Sequence, residues 1–148
     1  MSLKEQIRSD MKDAMRAGEK DRLSVIRMLL AAIQTREIEA REDLSDNEVM
    51  QIIEKLIKQR KDSAKQFADA GRNDRAAQES SEGELLQTYL PEQLGEAELE
   101  SMLNEVLAST GANSMKDMGK VMTAIRKKAQ GQADMGALSA LVKSKLAG

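Results

Sequence analysis

The sequence predicts an all-α protein: an N-terminal four-helix domain over residues 1–90 and a small three-helix tail domain over 96–148. Three observations carry that expectation. Apolar residues recur at helical spacing through most of the chain. A single proline and few β-branched runs leave little to support strands. Aromatics are confined to Phe67 and Tyr89, so the core has to be built from Leu, Ile, Val, Ala and ten Met.

Leu3, Ile7, Met11, Ala14 and Met15 form the first apolar stripe, which Ala17-Gly18 ends. A second helix starts near Lys20 and carries "LSVIRMLLAAI", Leu23 to Ile33, apolar nearly all round as suits a buried helix. Its second half, Glu37 to Asp43, is charged and is expected to project toward solvent, with Glu37/Arg41 and Glu39/Asp43 as i,i+4 pairs. Ser45-Asp46-Asn47-Glu48 reads as a capping box, opening a third helix with Val49, Ile52, Ile53, Leu56, Ala64 and Phe67 on one face. That helix stops at Gly71, and a fourth runs from about Asp74 to Tyr89. Pro91 and Gly95 in "YLPEQLGEAE" then break the chain into its two parts. Three shorter helices follow, Glu96–Ser109, Ser114–Gln130 and Asp134–Leu146, with Gly111 and Gly131 where C-caps belong. In Gly131-Gln132-Ala133-Asp134 the aspartate is the expected N-cap of the last helix.

Neither cysteine nor histidine occurs in the 148 residues. That removes disulfides, thiolate and imidazole metal ligands, and Ser-His-Asp or Cys-His hydrolase chemistry. The carboxylates show no EF-hand or di-metal spacing, and no Walker-type phosphate loop occurs. No cofactor is expected. "MSLKEQIRSDMK" is charged from Lys4 onward and lacks the apolar centre of a signal peptide, and no apolar run reaches membrane-spanning length. A cytoplasmic setting is the expectation.

Charge is uneven. Residues 1–90 hold 16 Lys+Arg against 18 Asp+Glu, whereas residues 112–148 hold seven against two. The basic end favours a phosphate-bearing partner, although basic helix faces are often simply solvated. Projected as one helix, Ser114–Gln130 buries Met118, Val121, Met122, Ile125 and Ala129 and aligns Lys116, Lys120 and Lys127 opposite them. The candidate RNA-binding set is Lys116, Lys120, Arg126, Lys127, Lys128 and Lys143. Lys58, Lys61 and Lys65 give the third helix a second basic face. Arg27 and Arg60 project onto the apolar sides of their helices and require ion pairing, with Asp10, Asp13 and Glu37 as reasonable partners. Met102, Met115, Met118, Met122 and Met135 either fill the core or form an adaptable docking face, and the latter is the protein–protein adaptor alternative.

"IRMLLAAI" (Ile26–Ile33), "IKQRKDSAKQFADAGR" (Ile57–Arg72) and "YLPEQL" (Tyr89–Leu94) together resemble the YqeY family of small bacterial proteins. "MGKVMTAI" and the following "GQADMGALSALVKSKL" resemble the tail domain of the B subunit of tRNA-dependent amidotransferases, over about residues 97–146. The resemblance implies a helical tail that touches tRNA, with an amidotransferase or tRNA synthetase as neighbouring protein. The family is classed with carbon–nitrogen ligases that use glutamine as amide donor. In the amidotransferase that chemistry resides outside the tail, so the implied role here is RNA contact without catalysis. Met118, Gly119, Val121, Met122, Gly131, Ala133 and Asp134 match the tail pattern as scaffold, leaving the adjacent lysines to touch RNA.

Overall fold

The computed structural model describes residues 1–147, and all the regular structure among them is helical. The helices are α1 (Leu3–Ala17), α2 (Lys20–Ala40), α3 (Asp46–Asp69), α4 (Asn73–Gln87), α5 (Glu96–Thr110), α6 (Met118–Lys128) and α7 (Met135–Ala147). A single 3₁₀ turn, Met115–Asp117, leads into α6. The chain divides into two compact units, Met1–Leu90 and Pro91–Gly148.

Local chemistry sets most helix ends. Ser45 caps α3 with its hydroxyl on the Glu48 N–H, and Glu48 reaches back to the Ser45 N–H. Ser2 and Glu5 make the same reciprocal box on α1, a signal the sequence carries in "SLKE" but which its apolar stripe overshadows. Gly18 (φ 69°) and Gly111 (φ 67°) end α1 and α5 in the left-handed region, where a side chain would be strained.

The first unit packs Ile7 and Ala14 of α1, Val25, Ile26, Leu29 and Ile33 of α2, Val49, Ile53 and Ile57 of α3 and Leu86 of α4 around one core. Arg27 does not face that core. The α2 sequence is apolar nearly all round, so periodicity could not choose its buried side. Packing chose the Val25–Ile33 face, and Arg27 is exposed about 150° away. Arg60 is ion-paired, but with neither Asp10, Asp13 nor Glu37. Its Nε lies 3.0 Å from Glu82 Oε2 and 3.5 Å from Glu79 Oε2, carboxylates that α4 brings back along α3. Gly83 lies beside them on α4, where a Cβ would stand 3.6 Å from the Arg60 Cβ. Asp10 instead accepts a 2.7 Å hydrogen bond from the Tyr89 hydroxyl, fixing the end of the unit to α1. Burial, and then that bond, push the Tyr89 phenol above its ordinary pKa.

The charged end of α2 also differs from expectation. The helix stops at Ala40 and Arg41 adopts a left-handed conformation (φ 57°), so neither Glu37/Arg41 nor Glu39/Asp43 can act as a helical i,i+4 pair. The turn folds the following residues over Glu37, which turns inward. Glu37 holds the Lys4 ammonium at 2.7 Å and accepts the Leu44 N–H at 3.1 Å. Both charged side chains are largely buried, at 16% and 13% exposure. One carboxylate thereby ties α1, the end of α2 and the start of the next segment.

The second unit packs Leu99, Leu103 and Val106 of α5, Val121, Met122, Ile125 and Ala129 around α6, and Leu138, Val142 and Leu146 of α7. Gly95 is not a free break but the N-cap residue of α5. The segment before it is strapped to the α6–α7 turn: Leu94 N–H donates to Gln132 O (2.8 Å) and Gln93 Nε2 to Gly131 O (2.7 Å). Gly131 takes φ 74° and Asp134 caps α7 through its carboxylate on the Ala137 N–H, as the sequence predicts.

Glu37→Gln removes the nearer of the two carboxylates around the Lys4 ammonium, leaving Asp43 at 3.7 Å, and is expected to lower unfolding free energy by about 1–3 kcal/mol. The Lys4 hydrogen bond, followed by the Leu44 N–H and the Lys4 charge, outweighs desolvation and holds the Glu37 pKa below its ordinary range. A depressed carboxylate stabilises the fold above its unfolded pKa, and that contribution is lost as pH falls through the folded one. Urea denaturation across an acid pH series should therefore show a steeper loss in the wild type than in Glu37→Gln, starting as pH drops through the ordinary glutamate value of about 4.3.

Candidate functional site

The basic residues of the second unit are set by how α6 is seated. Val121, Met122, Ile125 and Ala129 are buried, so the opposite face carries Gly119, Thr123, Arg126 and Lys127 into solvent, with Lys120 at its edge. This is the expected apolar stripe with the expected polar face. The helix, however, begins at Met118 rather than Ser114. Lys116 stands on the tighter 3₁₀ turn, out of the helical rail projected for it.

The six candidate residues separate into two kinds. Lys120 Nζ donates to the Thr110 carbonyl at 3.2 Å, capping the C-terminal end of α5. Lys128 Nζ lies 3.7 Å from Glu105 of α5. Both lysines are exposed and have a partner within the unit. Lys116, Arg126, Lys127 and Lys143 are exposed and make no ion pair among the described residues. Arg126, Lys127 and Lys128 fill the last turn of α6, where their charges also suit the helix dipole. Lys145, outside the candidate set, is held at 2.7 Å by Glu100, whose pKa that lysine lowers.

Gly119 lies in the first turn of α6, and a Cβ there would meet nothing within 4 Å. The fold gives no steric reason for glycine. With Thr123, whose hydroxyl donates to the Gly119 carbonyl at 2.9 Å, it makes a low track between Arg126 on one side and Lys127 and Lys120 on the other. Of the methionines, Met122 is buried, Met102, Met118 and Met135 pack partly buried on the same core, and Met115 is exposed. Among the described residues no group of three or more acidic side chains comes together to hold a metal ion, and no helix is long and apolar enough to cross a membrane.

The profile of the family described as Yqey-like protein matches residues 4–146. The chain belongs to the YqeY family. Its relatives include two proteins named "Altered inheritance of mitochondria protein 41, mitochondrial". That of Vanderwaltozyma polyspora is 33% identical over 120 residues, covering 76% of this chain and 64% of the relative. That of Lachancea thermotolerans is 35% identical over 121 residues, covering 77% and 65%. The chain thus spans just under two thirds of the length of these two. A relative of the same name from Pyrenophora tritici-repentis is 30% identical over 128 residues, 83% of this chain and 71% of its own. These YqeY relatives are fungal and carry mitochondrial names, so a bacterial or cytoplasmic setting gains no support from them.

Gly119→Ala is expected to raise the stability of the C-terminal unit by about 0.5–1 kcal/mol, the ordinary helix-interior preference, because nothing there resists a methyl group. Lys120→Gln is expected to lower it by about 0.5 kcal/mol through removal of the α5 cap. Thermal melts of the two variants followed by circular dichroism check both signs.

Proposed function

We propose that this YqeY protein is a non-catalytic, RNA-associated helical module whose C-terminal unit holds the phosphate backbone of a folded RNA. The observation that carries the reading is a set of cations uncommitted to carboxylates: Arg126 and Lys127 flank the Gly119–Thr123 track of α6, and Lys116 stands on the 3₁₀ turn before it. The open glycine lets a phosphodiester approach the helix backbone, and the flanking cations neutralise it. Lys143 on α7 adds a further free cation. Folded rather than single-stranded RNA fits because residues 91–148 contain no aromatic side chain on which bases could stack. Such stacking is worth about 1–3 kcal/mol per base where it occurs, and without it recognition rests on backbone shape. The likeness of the tail to that of the amidotransferase B subunit supports tRNA as the RNA. It also supports a place beside glutamine-dependent tRNA amidation, next to an amidotransferase or synthetase.

Every phosphate that a lysine or arginine neutralises releases counterions, so the log–log salt slope of tRNA binding should become shallower by roughly 0.7–0.9 for each such ion pair removed. Lys116→Gln/Arg126→Gln/Lys127→Gln should shed about two units of slope while melting at the wild-type temperature. Lys128→Gln, already committed to Glu105, should leave the slope unchanged. Fluorescence anisotropy with tRNA across a salt series measures both, and an unaltered slope in the folded triple variant would remove RNA from α6.

The amidation chemistry itself is assigned elsewhere. With no cysteine and no histidine, the purified chain is expected to leave Glu-tRNA and Asp-tRNA unconverted when supplied with glutamine, ATP and magnesium. Amidated product from the isolated chain would overturn that assignment.

A further inference from the structure

The same unit carries a second surface of opposite sign. Residues 91–111 contain five glutamates and no lysine or arginine. Ala97, Ser101 and Glu105 follow one another at four-residue spacing along the outer side of α5, with Glu98 and Met102 on the adjoining row. Together with Leu94 and Lys128 they line an open groove of about 600 Å³. Its lining includes the small side chains of Ala97 and Ser101, which let another backbone come close, and the apolar side chains of Leu94 and Met102. From Ala97 to Glu105 it runs about 12 Å along α5, room for two turns of a second helix.

Charge decides what that helix carries. Glu98 and Glu105 stand two turns apart on the rim, and Glu98 has no ion pair among the described residues. At one end the protein already places a cation in the groove, the Lys128 ammonium 3.7 Å from Glu105. A phosphate backbone would be repelled here, and an apolar segment without charge would leave Glu98 partly desolvated and unpaired. We infer that the α5 groove docks a basic amphipathic helix of a partner protein, its apolar stripe over Ala97 and Met102 and its lysines or arginines on Glu98 and Glu105. This goes beyond the RNA reading and does not rest on it, because Lys116, Arg126, Lys127 and Lys143 are not among the residues that line the groove.

The test uses the full chain and two fluorescent lysine–leucine peptides of identical composition. One places its leucines on a single helical face, and in the other they are scattered around the helix. The amphipathic peptide should bind and the scattered isomer roughly tenfold more weakly, the order expected when complementarity and charge act together. Ser101→Trp fills the groove without changing charge and should weaken the amphipathic peptide by at least about tenfold. Glu98→Lys should do the same and also lessen the salt dependence. Both positions are exposed, and circular dichroism checks that the variants fold. Ser101→Trp should leave tRNA binding untouched, which separates this inference from the previous one. Equal binding of both peptides, or full affinity in folded Ser101→Trp, would overturn the groove and leave only general attraction to an acidic helix. Concentration-dependent dimerisation that Ser101→Trp abolishes, seen by sedimentation, would overturn it in favour of a second copy of the chain.

Discussion

Both cores are aliphatic. No aromatic ring is among the fully buried side chains of either unit, so each helix pair must gain its stability from branched and thioether side chains packed in close register. The consequence is visible between α3 and α4, which pack closely enough that Gly83 lies beside the Arg60 stem. It is visible again in where polar groups are allowed. Among the described residues no polar or charged residue is buried outright. The strong polar contacts sit at the margins of the cores instead: Glu37 with Lys4 and the Leu44 N–H, Tyr89 with Asp10, and Arg60 with Glu79 and Glu82. They tie helices to one another while the aliphatic stripes supply the burial.

In the C-terminal unit the same constraint fixes which charges reach solvent. Seating Val121, Met122, Ile125 and Ala129 against α5 and α7 leaves no rotational choice for α6. Its cations are then divided between those that face α5 and those that do not. Lys128 reaches Glu105, Lys120 reaches the Thr110 carbonyl of α5, and from α7 Lys145 reaches Glu100. Arg126 and Lys127 are left over on one side and Glu98 on another. The charges left facing solvent are what remains after packing has used those it needs.

Much of this is legible in the residues. Ser45 with Glu48, Gly18, Gly111 and Gly131, and Asp134 each announce a helix end through a specific backbone need, and the structure meets it with the corresponding bond or φ. The stripe on α6 is equally plain because its polar and apolar residues segregate. Legibility fails where segregation or punctuation fails. The second helix is apolar on most sides, so periodicity sets Arg27 on the wrong face, and the helix ends at Arg41 with neither glycine nor proline to mark the stop. Partners distant in sequence, such as Glu82 for Arg60 and Lys4 for Glu37, depend on packing that periodicity cannot encode. The acidic character of residues 91–111 lies open in the sequence, but a charge count over the two ends of the chain passes over it.

That acidic stretch bears on how the net charge of the unit should be understood. Pro91–Gly148 holds seven acidic and seven basic residues, so its formal charge is zero. A zero sum would suggest indifference to charged partners if the signs were mixed. They are not: every Lys and Arg follows residue 111, and five of the seven acids precede it. Lys128 and Lys145 are paired with Glu105 and Glu100, whereas Lys116, Arg126, Lys127 and Glu98 make no ion pair among the described residues, and the roughly 8 Å screening length of physiological salt limits how far each is felt. A ligand approaching α6 therefore responds to Lys116, Arg126 and Lys127 and little to Glu98. A ligand approaching the outer side of α5 meets the reverse. Under the two proposals above, a small neutral unit binds a polyanion on one helix and a cationic helix on another, the aliphatic core fixing which charges each presents.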